Sequence, residues 1–408
     1  MVDAKRVVLA YSGGLDTSVA VKWIQEEWGA EVIALAVDVG QVPDADQAYW
    51  DAVVERARAA GAVEAEVIDA RAEFASDYFG RALKANALYE GKYPLVSALS
   101  RPVIVKHLVA AAQRYGGDAV AHGCTGKGND QVRFEVGIRT LDPTLDVLAP
   151  TRVWGLTRED CIEYAAKFDI PINVNKAKPY SIDENLVGRA IECGEMENPW
   201  NAPPADIYDL TAHVADAPTA PREVIVGFER GLPVSIDGTA MPMDALVLEM
   251  GAIAGSYGYG RIDMVENRRV GIKSRETYEC PGSLSLIVAH QDLEGITLER
   301  DVMREKQRLE TRYAELVYDG LWFSPLREAL DAFIDSTQEH VTGEVRLLLE
   351  PGRCAPNGRR ALAGLYDYEL ATYEAEDAFR HEDAAGFVRL WGLGVETWSK
   401  RQRPGGVV

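Results

Sequence analysis

The stretch YSGGLDTS, residues 11–18, combines two adjacent glycines with the hydroxyls of Ser12, Thr17 and Ser18 and the carboxylate of Asp16. Two adjacent glycines allow the backbone to approach a ligand closely and to adopt positive φ. If a helix begins after them, its first N–H groups are unpaired and form the positive end of the helix dipole. Hydroxyl donors beside such a helix start predict a site for an anion, most naturally a phosphate.

The residues on either side supply the strand and the helix that this loop needs. Residues 6–11 are apolar and β-favouring, which predicts a buried strand. Leu15, Val19 and Trp23 recur at helical spacing, and Gly29 is a typical helix end. The same residues would also fit an ordinary turn in which Ser12 or Asp16 caps the helix. The loop is not a Walker A motif, because no lysine follows the glycines, and it does not match G-x-G-x-x-G.

A second polar loop, HGCTGKGNDQVRFE at residues 122–135, follows a strand predicted over 119–121. Its three glycines free the backbone to donate N–H groups. Lys127 suits a phosphate or carboxylate partner, and Asp130 suits an ammonium group. Asn129 or Asp130 could instead only cap the helix that comes next.

Strands and helices alternate in the first third of the chain. We predict strands over 32–39, 64–68 and 146–149, helices over 45–60 and 102–115, and a helix that Thr157 starts and Pro171 ends. This alternation predicts an α/β fold with a doubly wound parallel sheet. Ligands in such sheets bind at the carboxyl ends of the strands, so the two polar loops are expected to share one site.

The pattern changes near residue 173, where Pro-rich turns begin. We predict a hairpin over 223–229 and 232–237, helices over 242–256, 283–292, 299–318 and 325–338, and strands over 343–350 and 360–368. The chain is therefore divided into a nucleotide-binding domain over 1–172, a second α+β domain over 173–370 and a tail over 371–408.

The tail carries an aromatic stripe. Phe387, Trp391, Val395 and Trp398 share one face of a helix expected over 382–403. An apolar face of this size must be covered, either by the helix's own domain or by another subunit.

Composition limits the partners. The 408 residues include 43 Lys and Arg against 64 Asp and Glu, a formal charge of −21. Such an acidic chain disfavours nucleic acid as a partner. No apolar run approaches the ~20 residues of a membrane span, and the first strand begins too early to leave room for a signal peptide. Five cysteines without C-x-x-C spacing predict reduced thiols and a cytoplasmic protein, with no protein metal site.

The phosphate-binding stretch resembles the PP-loop, S-G-G-x-D-[TS], of the ATP pyrophosphatases, which cleave ATP between the α and β phosphates. Over nearly its full length the chain also resembles the argininosuccinate synthase family. That resemblance is carried by LAYSGGLDTS, HGCTGKGNDQVRFE, KPYSIDENL, GRIDMVENR and KSRETYECPG. It implies that ATP activates citrulline as citrullyl-AMP with release of pyrophosphate. The amine of aspartate then displaces AMP.

The resemblance also implies roles for individual residues. ATP would contact Ala10, Tyr11, Ser12, Gly13, Gly14, Leu15, Asp16, Thr17, Ser18, Val37 and Gly123. Aspartate would contact Thr125, Asn129 and Asp130, and citrulline would contact Tyr93, Asn129, Arg133, Ser181, Glu266 and Tyr278. Asp16 would either hold the Mg²⁺ that accompanies ATP or brace the turn. Arg101 would neutralise charge on the α-phosphate, and the tail helix would join a homotetramer.

Two positions depart from the family pattern. Two serines that contact citrulline in the family are replaced in this chain, one by Ala98 and the other by Ala190. We expect Ser97 or water to supply the missing contacts. Ser97 can do so only if the backbone turns there, because neighbouring side chains of an extended segment point to opposite faces.

The sequence is also compatible with other functions. A different PP-loop enzyme would use another acceptor, as an ammonia-using synthetase, a tRNA thiolase or a lysidine synthase does. A non-catalytic nucleotide-binding module similar to universal stress proteins would be shorter and would lack the second polar loop. AMP and pyrophosphate formed only with citrulline and aspartate would distinguish these classes.

Overall fold

The computed structural model describes residues 4–42, 45–171, 180–374 and 376–403. Its first sheet has five parallel strands in the order β3-β2-β1-β4-β5. These strands are β1 (Arg6–Ala10), β2 (Glu31–Asp38), β3 (Glu64–Asp69), β4 (Ala119–Ala121) and β5 (Asp146–Leu148). The accompanying helices are α1 (Leu15–Trp28), α2 (Gln47–Ala59), α3 (Arg71–Glu73), α4 (Gly80–Lys84), α5 (Val96–Tyr115), α6 (Asp130–Leu141), α7 (Pro150–Val153) and α8 (Arg158–Lys167), with a π-helical stretch at Phe74–Phe79.

The central strands are buried on both faces. Val7 and Leu9 of β1 belong to an apolar cluster with Ile24 of α1, whereas Val8 belongs to a cluster with Leu99 of α5. Successive side chains of a strand point to opposite faces, so a strand covered by helices on both sides needs a continuous apolar run. The predicted doubly wound parallel sheet is confirmed.

The helix predicted over 102–115 begins six residues earlier than expected. It starts at Val96, and Pro102 lies inside it. The chain enters the helix through Leu95, whose backbone is left-handed with φ 64°. Proline is common at helix starts, and that preference gave the wrong boundary here. The expected start at Thr157 is confirmed, because Thr157 and Asp160 form a capping box.

The second half of the chain contains two antiparallel sheets, in the orders β11-β12-β7-β6 and β10-β9-β8-β13-β14. Their strands are β6 (Ser181–Asn185), β7 (Gly188–Glu192), β8 (Arg222–Glu229), β9 (Leu232–Ile236), β10 (Thr239–Ala240), β11 (Arg261–Asn267), β12 (Lys273–Glu279), β13 (Gly343–Glu350) and β14 (Arg353–Ala361). The helices are α9 (Met243–Ser256), α10 (Pro281–Thr297), α11 (Arg300–Tyr318), α12 (Pro325–Thr337), α13 (Tyr368–Ala371) and α14 (His381–Gln402).

Two parts of this half differ from the predictions. The strand expected over 360–368 is wrong, because β14 ends at Ala361 and pairs with β13 across a turn at Pro351 and Gly352. β14 is polar because it forms an edge of its sheet. The four-stranded sheet was not predicted. Its strands carry charged and hydroxyl side chains on one face, which hides the alternation that identifies a half-buried strand.

The chain divides into two compact units between Ala363 and Gly364. The domain boundary expected at 172–173 lies outside the described residues, and the three-part division of the chain stays a prediction. Helix α14 occupies the second unit, and none of its described residues is buried. Within the described residues, no helix is long and apolar enough to cross a membrane.

A buried carboxylate ties the loop at 209–211 to the four-stranded sheet. Glu279 of β12 is fully buried and accepts hydrogen bonds from the backbone N–H groups of Asp209, Leu210 and Thr211, at 2.9–3.0 Å. It also accepts from the hydroxyl of Thr211 at 2.7 Å and from Nη1 of Arg189 at 2.7 Å. One side chain therefore satisfies five donors.

We expect Glu279→Gln to lower the free energy of unfolding by about 3–5 kcal/mol, because Arg189 loses its fully buried counter-charge. Denaturant titration followed by circular dichroism measures the change. The control is Asp209→Asn, which removes another of the carboxylates that pair with Arg189, one that is 60% exposed, and leaves Glu184 and Glu279 in place; its cost should stay below about 1 kcal/mol. Equal losses in the two variants would contradict the role given to Glu279.

Candidate active site

The phosphate-binding loop joins β1 to the N-terminus of α1. Gly13 has φ +73°, and Gly14 is the N-cap of α1 without any side-chain cap. Neither Ser12 nor Asp16 therefore caps the helix, which was the alternative for this loop. The Ser12 hydroxyl instead lies 3.1 Å from the hydroxyl of Thr17 and accepts from the N–H of Gly14 at 3.3 Å. The helix start keeps its N–H groups available for an anion.

The loop opens onto two adjoining cavities. The larger, with a volume of about 520 Å³, is called the polar cavity here. Its lining includes these predicted residues: Ser12, Asp16, Tyr93, Ser97, Arg101, Gly123, Thr125, Asn129, Asp130, Arg133, Ser181, Glu266 and Tyr278. The smaller, the apolar cavity of about 240 Å³, is lined by Ala10, Tyr11, Leu35, Val37, Val39, Ile104 and Phe134 among others. Both cavities are lined by Ser12, Arg101, Gly123, Cys124, Asp130 and Asp183.

The remaining loop residues do not line either cavity. Ser18 is fully buried and its hydroxyl lies 3.0 Å from that of Tyr11. Thr17 supports Ser12, and Leu15 packs against the cluster around α1. Gly13 and Gly14 form the turn itself. Lys127, which the sequence suggested for a phosphate or carboxylate, is exposed and lies outside both cavities.

Two arginines share one carboxylate where the cavities meet. Nε and Nη2 of Arg101 donate to Oδ2 of Asp130 at 2.9 and 2.6 Å, and Nη1 of Arg133 donates to Oδ1 at 2.8 Å. Nη2 of Arg101 also donates to Asp183 of β6 at 2.7 Å. Burial alone would raise the pKa of Asp130, but the two guanidinium groups outweigh it and bring this pKa to about 2. The carboxylate is thus ionised at every physiological pH.

A second buried carboxylate has only neutral partners. Glu266 of β11 is 2% exposed and accepts hydrogen bonds from Tyr278 at 2.7 Å and from Tyr318 at 2.5 Å. Among the described residues no cationic side chain pairs with it. Tyr318 also contacts Arg133, because its ring lies 5.0 Å from the guanidinium carbon of that residue. Asn129, at the start of α6, donates to the Tyr318 hydroxyl at 2.9 Å.

Further residues of the polar cavity were missed by the sequence analysis. Glu192, Arg268 and Glu276 form a chain in which Nη2 of Arg268 donates to both carboxylates. Glu276 precedes Tyr278 by two residues on β12, so both point to the same face of the sheet. Predicting that strand would have revealed Glu276, because Tyr278 was already a candidate. Tyr318 ends α11, and nothing in its neighbourhood of the sequence indicated a site.

Ala98 and Ala190, the two departures from the family pattern, differ in their relation to the polar cavity. Because α5 begins at Val96, the backbone turns where Ser97 needs it to turn. Ser97 lines the polar cavity, whereas Ala98 is 1% exposed and packs in the apolar core. Ala190 of β7 lines the cavity opposite Tyr278 in the strand register.

Two groups of the second polar loop, Cys124 and His122, are uncharged. Burial raises the pKa of the Cys124 thiol, which keeps it protonated and unsuited to act as a nucleophile. Burial lowers the pKa of His122 to about 4, and its Nδ1 accepts from the N–H of Cys124 at 3.2 Å. The five cysteines carry free thiols. Among the described residues, no group of three His, Cys, Asp or Glu side chains is arranged to hold a metal ion.

Both halves of the chain match domains of the same protein family. Residues 6–171 match the model of the arginosuccinate synthase N-terminal HUP domain, and residues 180–398 match that of the arginosuccinate synthase C-terminal domain. Argininosuccinate synthase of Geobacillus thermodenitrificans is 56% identical over 388 residues, which cover 95% of this chain and 94% of that protein.

A solved structure described as a predicted subunit of tRNA methyltransferase from Methanocaldococcus jannaschii covers 42% of this chain and 68% of its own. It has 15% identity and a TM-score of 0.21. The family models and the Geobacillus relative together account for nearly every described residue, and the chain belongs to the argininosuccinate synthase family.

Proposed function

We propose that the chain ligates citrulline to aspartate at the junction of the two cavities, using ATP and releasing AMP and pyrophosphate. The observation that carries this proposal is the separation of charge in the polar cavity. Arg133 packs against the ring of Tyr318, and Glu266, a carboxylate with no cationic partner among the described residues, accepts from the hydroxyl of the same tyrosine. An amino acid zwitterion, whose own charges are separated in the same way, complements this arrangement.

ATP fits the apolar cavity and the loop beside it. Ala10, Tyr11 and Val37 lie at the carboxyl ends of β1 and β2, where ligands of such sheets bind. The base would occupy this apolar space, and the phosphates would reach the uncapped start of α1 past Ser12 and Gly123. Thr17 and Ser18 hold the loop in place, and Gly13, Gly14 and Leu15 present its backbone.

Citrulline would bind in the polar cavity with its α-ammonium at Glu266 and its α-carboxylate at Arg133. A guanidinium suits a carboxylate because its planar fork can donate two parallel hydrogen bonds. Tyr93, Ser181 and Tyr278 would complete the contacts, with Ser97 supplying the hydroxyl that Ala98 and Ala190 lack. Aspartate would bind at Thr125, Asn129 and Asp130, on the side of the α6 start.

The reaction would proceed in two steps at the shared boundary. The ureido oxygen of citrulline forms a bond to the α-phosphorus while the bond to the bridging oxygen breaks, and pyrophosphate leaves. The amine of aspartate then forms a bond to the ureido carbon, AMP leaves, and the amine loses a proton. Arg101 would stabilise the negative charge on the α-phosphate, and the start of α1 would stabilise the charge of the departing pyrophosphate.

Mg²⁺ would enter with ATP. A magnesium ion in nucleotide sites is usually held by one or two carboxylates together with the phosphates. Asp16 fits this requirement because its carboxylate lines the polar cavity beside the loop and forms no ion pair with the described residues. We place this reaction in the cytoplasm, where free thiols persist.

We also propose that α14 joins four copies of the chain into a homotetramer. Phe387, Trp391, Val395 and Trp398 are 42–79% exposed along this helix of 22 residues. A second copy offers the same apolar stripe, and symmetric pairing of like surfaces is the commonest form of assembly.

We expect purified protein to exchange labelled pyrophosphate into ATP when citrulline is present and to accumulate AMP only when aspartate is added. Ser12→Ala should reduce the exchange rate by about 10²-fold, because one hydroxyl at the phosphates is lost. The matched control, Ser76→Ala, alters an exposed serine outside both cavities and should exchange normally. Normal exchange by Ser12→Ala, or AMP formation without citrulline, would contradict the proposal.

Asp130→Asn should raise KM for aspartate about tenfold, the cost of one lost charge-assisted hydrogen bond of roughly 1.4 kcal/mol. Pyrophosphate exchange, which reports only the adenylation of citrulline, should also fall, because Arg101 and Arg133 lose a shared partner, but by a smaller factor than the rise in KM for aspartate. Asp183→Asn is the control, because it removes the other carboxylate of Arg101 and leaves Arg133 paired. If both variants change exchange and aspartate KM in the same proportions, Asp130 acts only through Arg101.

A chain truncated after residue 380 should form particles of fewer subunits, measured as a smaller particle mass by light scattering, because the apolar stripe of α14 is removed. Full-length protein carrying Trp391→Asp and Trp398→Asp should also dissociate, and this variant covers the case in which the truncated chain does not fold. Arg389→Ala, on the opposite face of α14, is the control and should keep the parent mass. An unchanged mass in the double variant would exclude α14 as the interface.

A further inference from the structure

Two carboxylates of the polar cavity approach the same phenol. The Tyr278 hydroxyl lies 2.7 Å from Oε2 of Glu266 and 2.9 Å from Oε2 of Glu276. Tyr278 is fully buried, and its ring stacks on that of Tyr93 with centroids 4.2 Å apart. A phenol has one proton, so it can donate one full hydrogen bond.

The contact between the Tyr278 hydroxyl and the second carboxylate becomes a hydrogen bond if one of the two carboxyl groups carries a proton. Tyr318 already donates to the other oxygen of Glu266, so both oxygens of Glu266 accept from phenols. Tyr278 is then left with its oxygen lone pairs facing Glu276. A protonated Glu276 would donate to that oxygen, which completes every hydrogen bond in the cluster.

The charges around Glu276 favour the same protonation state. Glu192 faces it from β7, Glu266 from β11 and Tyr278 from its own strand, and Arg268 follows β11. Glu192 and Glu276 thus share a single guanidinium, and Glu266 adds a third carboxylate that has no cationic partner among the described residues. Burial, with the charges of Glu266 and Glu192, raises the pKa of Glu276 to about 7, although Arg268 and the Tyr278 hydroxyl oppose the rise.

We propose that Glu266 and Glu276 share one proton across the Tyr278 hydroxyl in the free protein, and that the α-ammonium of citrulline displaces this proton to solvent. The ammonium brings the positive charge that the proton had supplied. Glu276 is thereby a positioning residue that keeps Glu266 and Tyr278 ready for an ammonium group. This inference rests on the proposed placement of citrulline beside Glu266.

The proposal fixes the direction of the pH dependence. A bound ammonium favours the ionised pair and lowers its pKa, so binding releases a proton at pH values below the pKa of the free protein. Affinity for citrulline therefore rises with pH up to about 7 and then levels off. A single released proton corresponds to roughly five- to tenfold tighter binding at pH 8 than at pH 6.

Calorimetry of citrulline binding in two buffers of different ionisation enthalpy measures the number of released protons directly. We expect close to one proton per citrulline at pH 6 and almost none at pH 8. In Glu276→Gln, whose amide can still donate to the Tyr278 oxygen, release should disappear, and the affinity should be nearly equal at the two pH values. Release that persists in Glu276→Gln, or its absence at pH 6 in the parent protein, would overturn the proposal.

Two controls separate this inference from the proposed function. Glu192→Gln should keep the proton release but shift its midpoint to lower pH, because one negative neighbour is removed and Arg268 is left to Glu276. The analogue 5-ureidopentanoic acid, which lacks the α-ammonium, should bind weakly and release no proton. If citrulline supports no pyrophosphate exchange at any pH, the proposed function fails. If citrulline supports exchange but its binding releases no proton, only the present inference fails.

Discussion

The sharing of Asp130 by Arg101 and Arg133 is the interaction on which the arrangement of the site depends. Arg101 comes from α5, Asp130 and Arg133 come from α6, and Asp183, the other partner of Arg101, comes from β6. A guanidinium with little access to solvent must be paired, and these pairs connect helices of the parallel sheet to a strand of the four-stranded sheet. The same contacts that neutralise buried charge therefore hold the two walls of the polar cavity together.

This pairing leaves the opposite wall with an excess of negative charge. Glu192 and Glu276 share one guanidinium, that of Arg268. Glu266 has no cationic partner among the described residues, and Tyr318, which donates to it, also packs its ring against Arg133. The cavity thus has one end where arginines and aspartates are paired and another with an excess of carboxylates. Net charge, which argued against nucleic acid, gave no information about this local separation.

The parallel half was predictable from the sequence because its strands are apolar on both faces and its loops carry concentrated polar residues. Glycines and hydroxyls around Ser12 predicted a loop between a strand end and a helix start, and the structure has that loop between β1 and α1. The phosphate site assigned to it stays a prediction. The antiparallel half was harder. Ser181, Glu266 and Tyr278 came from resemblance alone, because polar strands lack an apolar period. Glu276 and Tyr318 reach the cavity through pairings between segments far apart in the sequence, and no local pattern encodes such pairings.

The polarity of the larger cavity has a consequence for the lifetime of an activated intermediate. A cavity lined by ionised carboxylates and guanidinium groups is filled by water whenever substrate is absent. Water is also a nucleophile, and an acyl-like carbon joined to AMP is open to its attack. In the proposed geometry the aspartate bound near Asp130 occupies the approach to that carbon and excludes water from it. Bound aspartate thus protects the activated citrulline from water, and the fraction of the intermediate lost to hydrolysis depends on how fully the aspartate site is occupied.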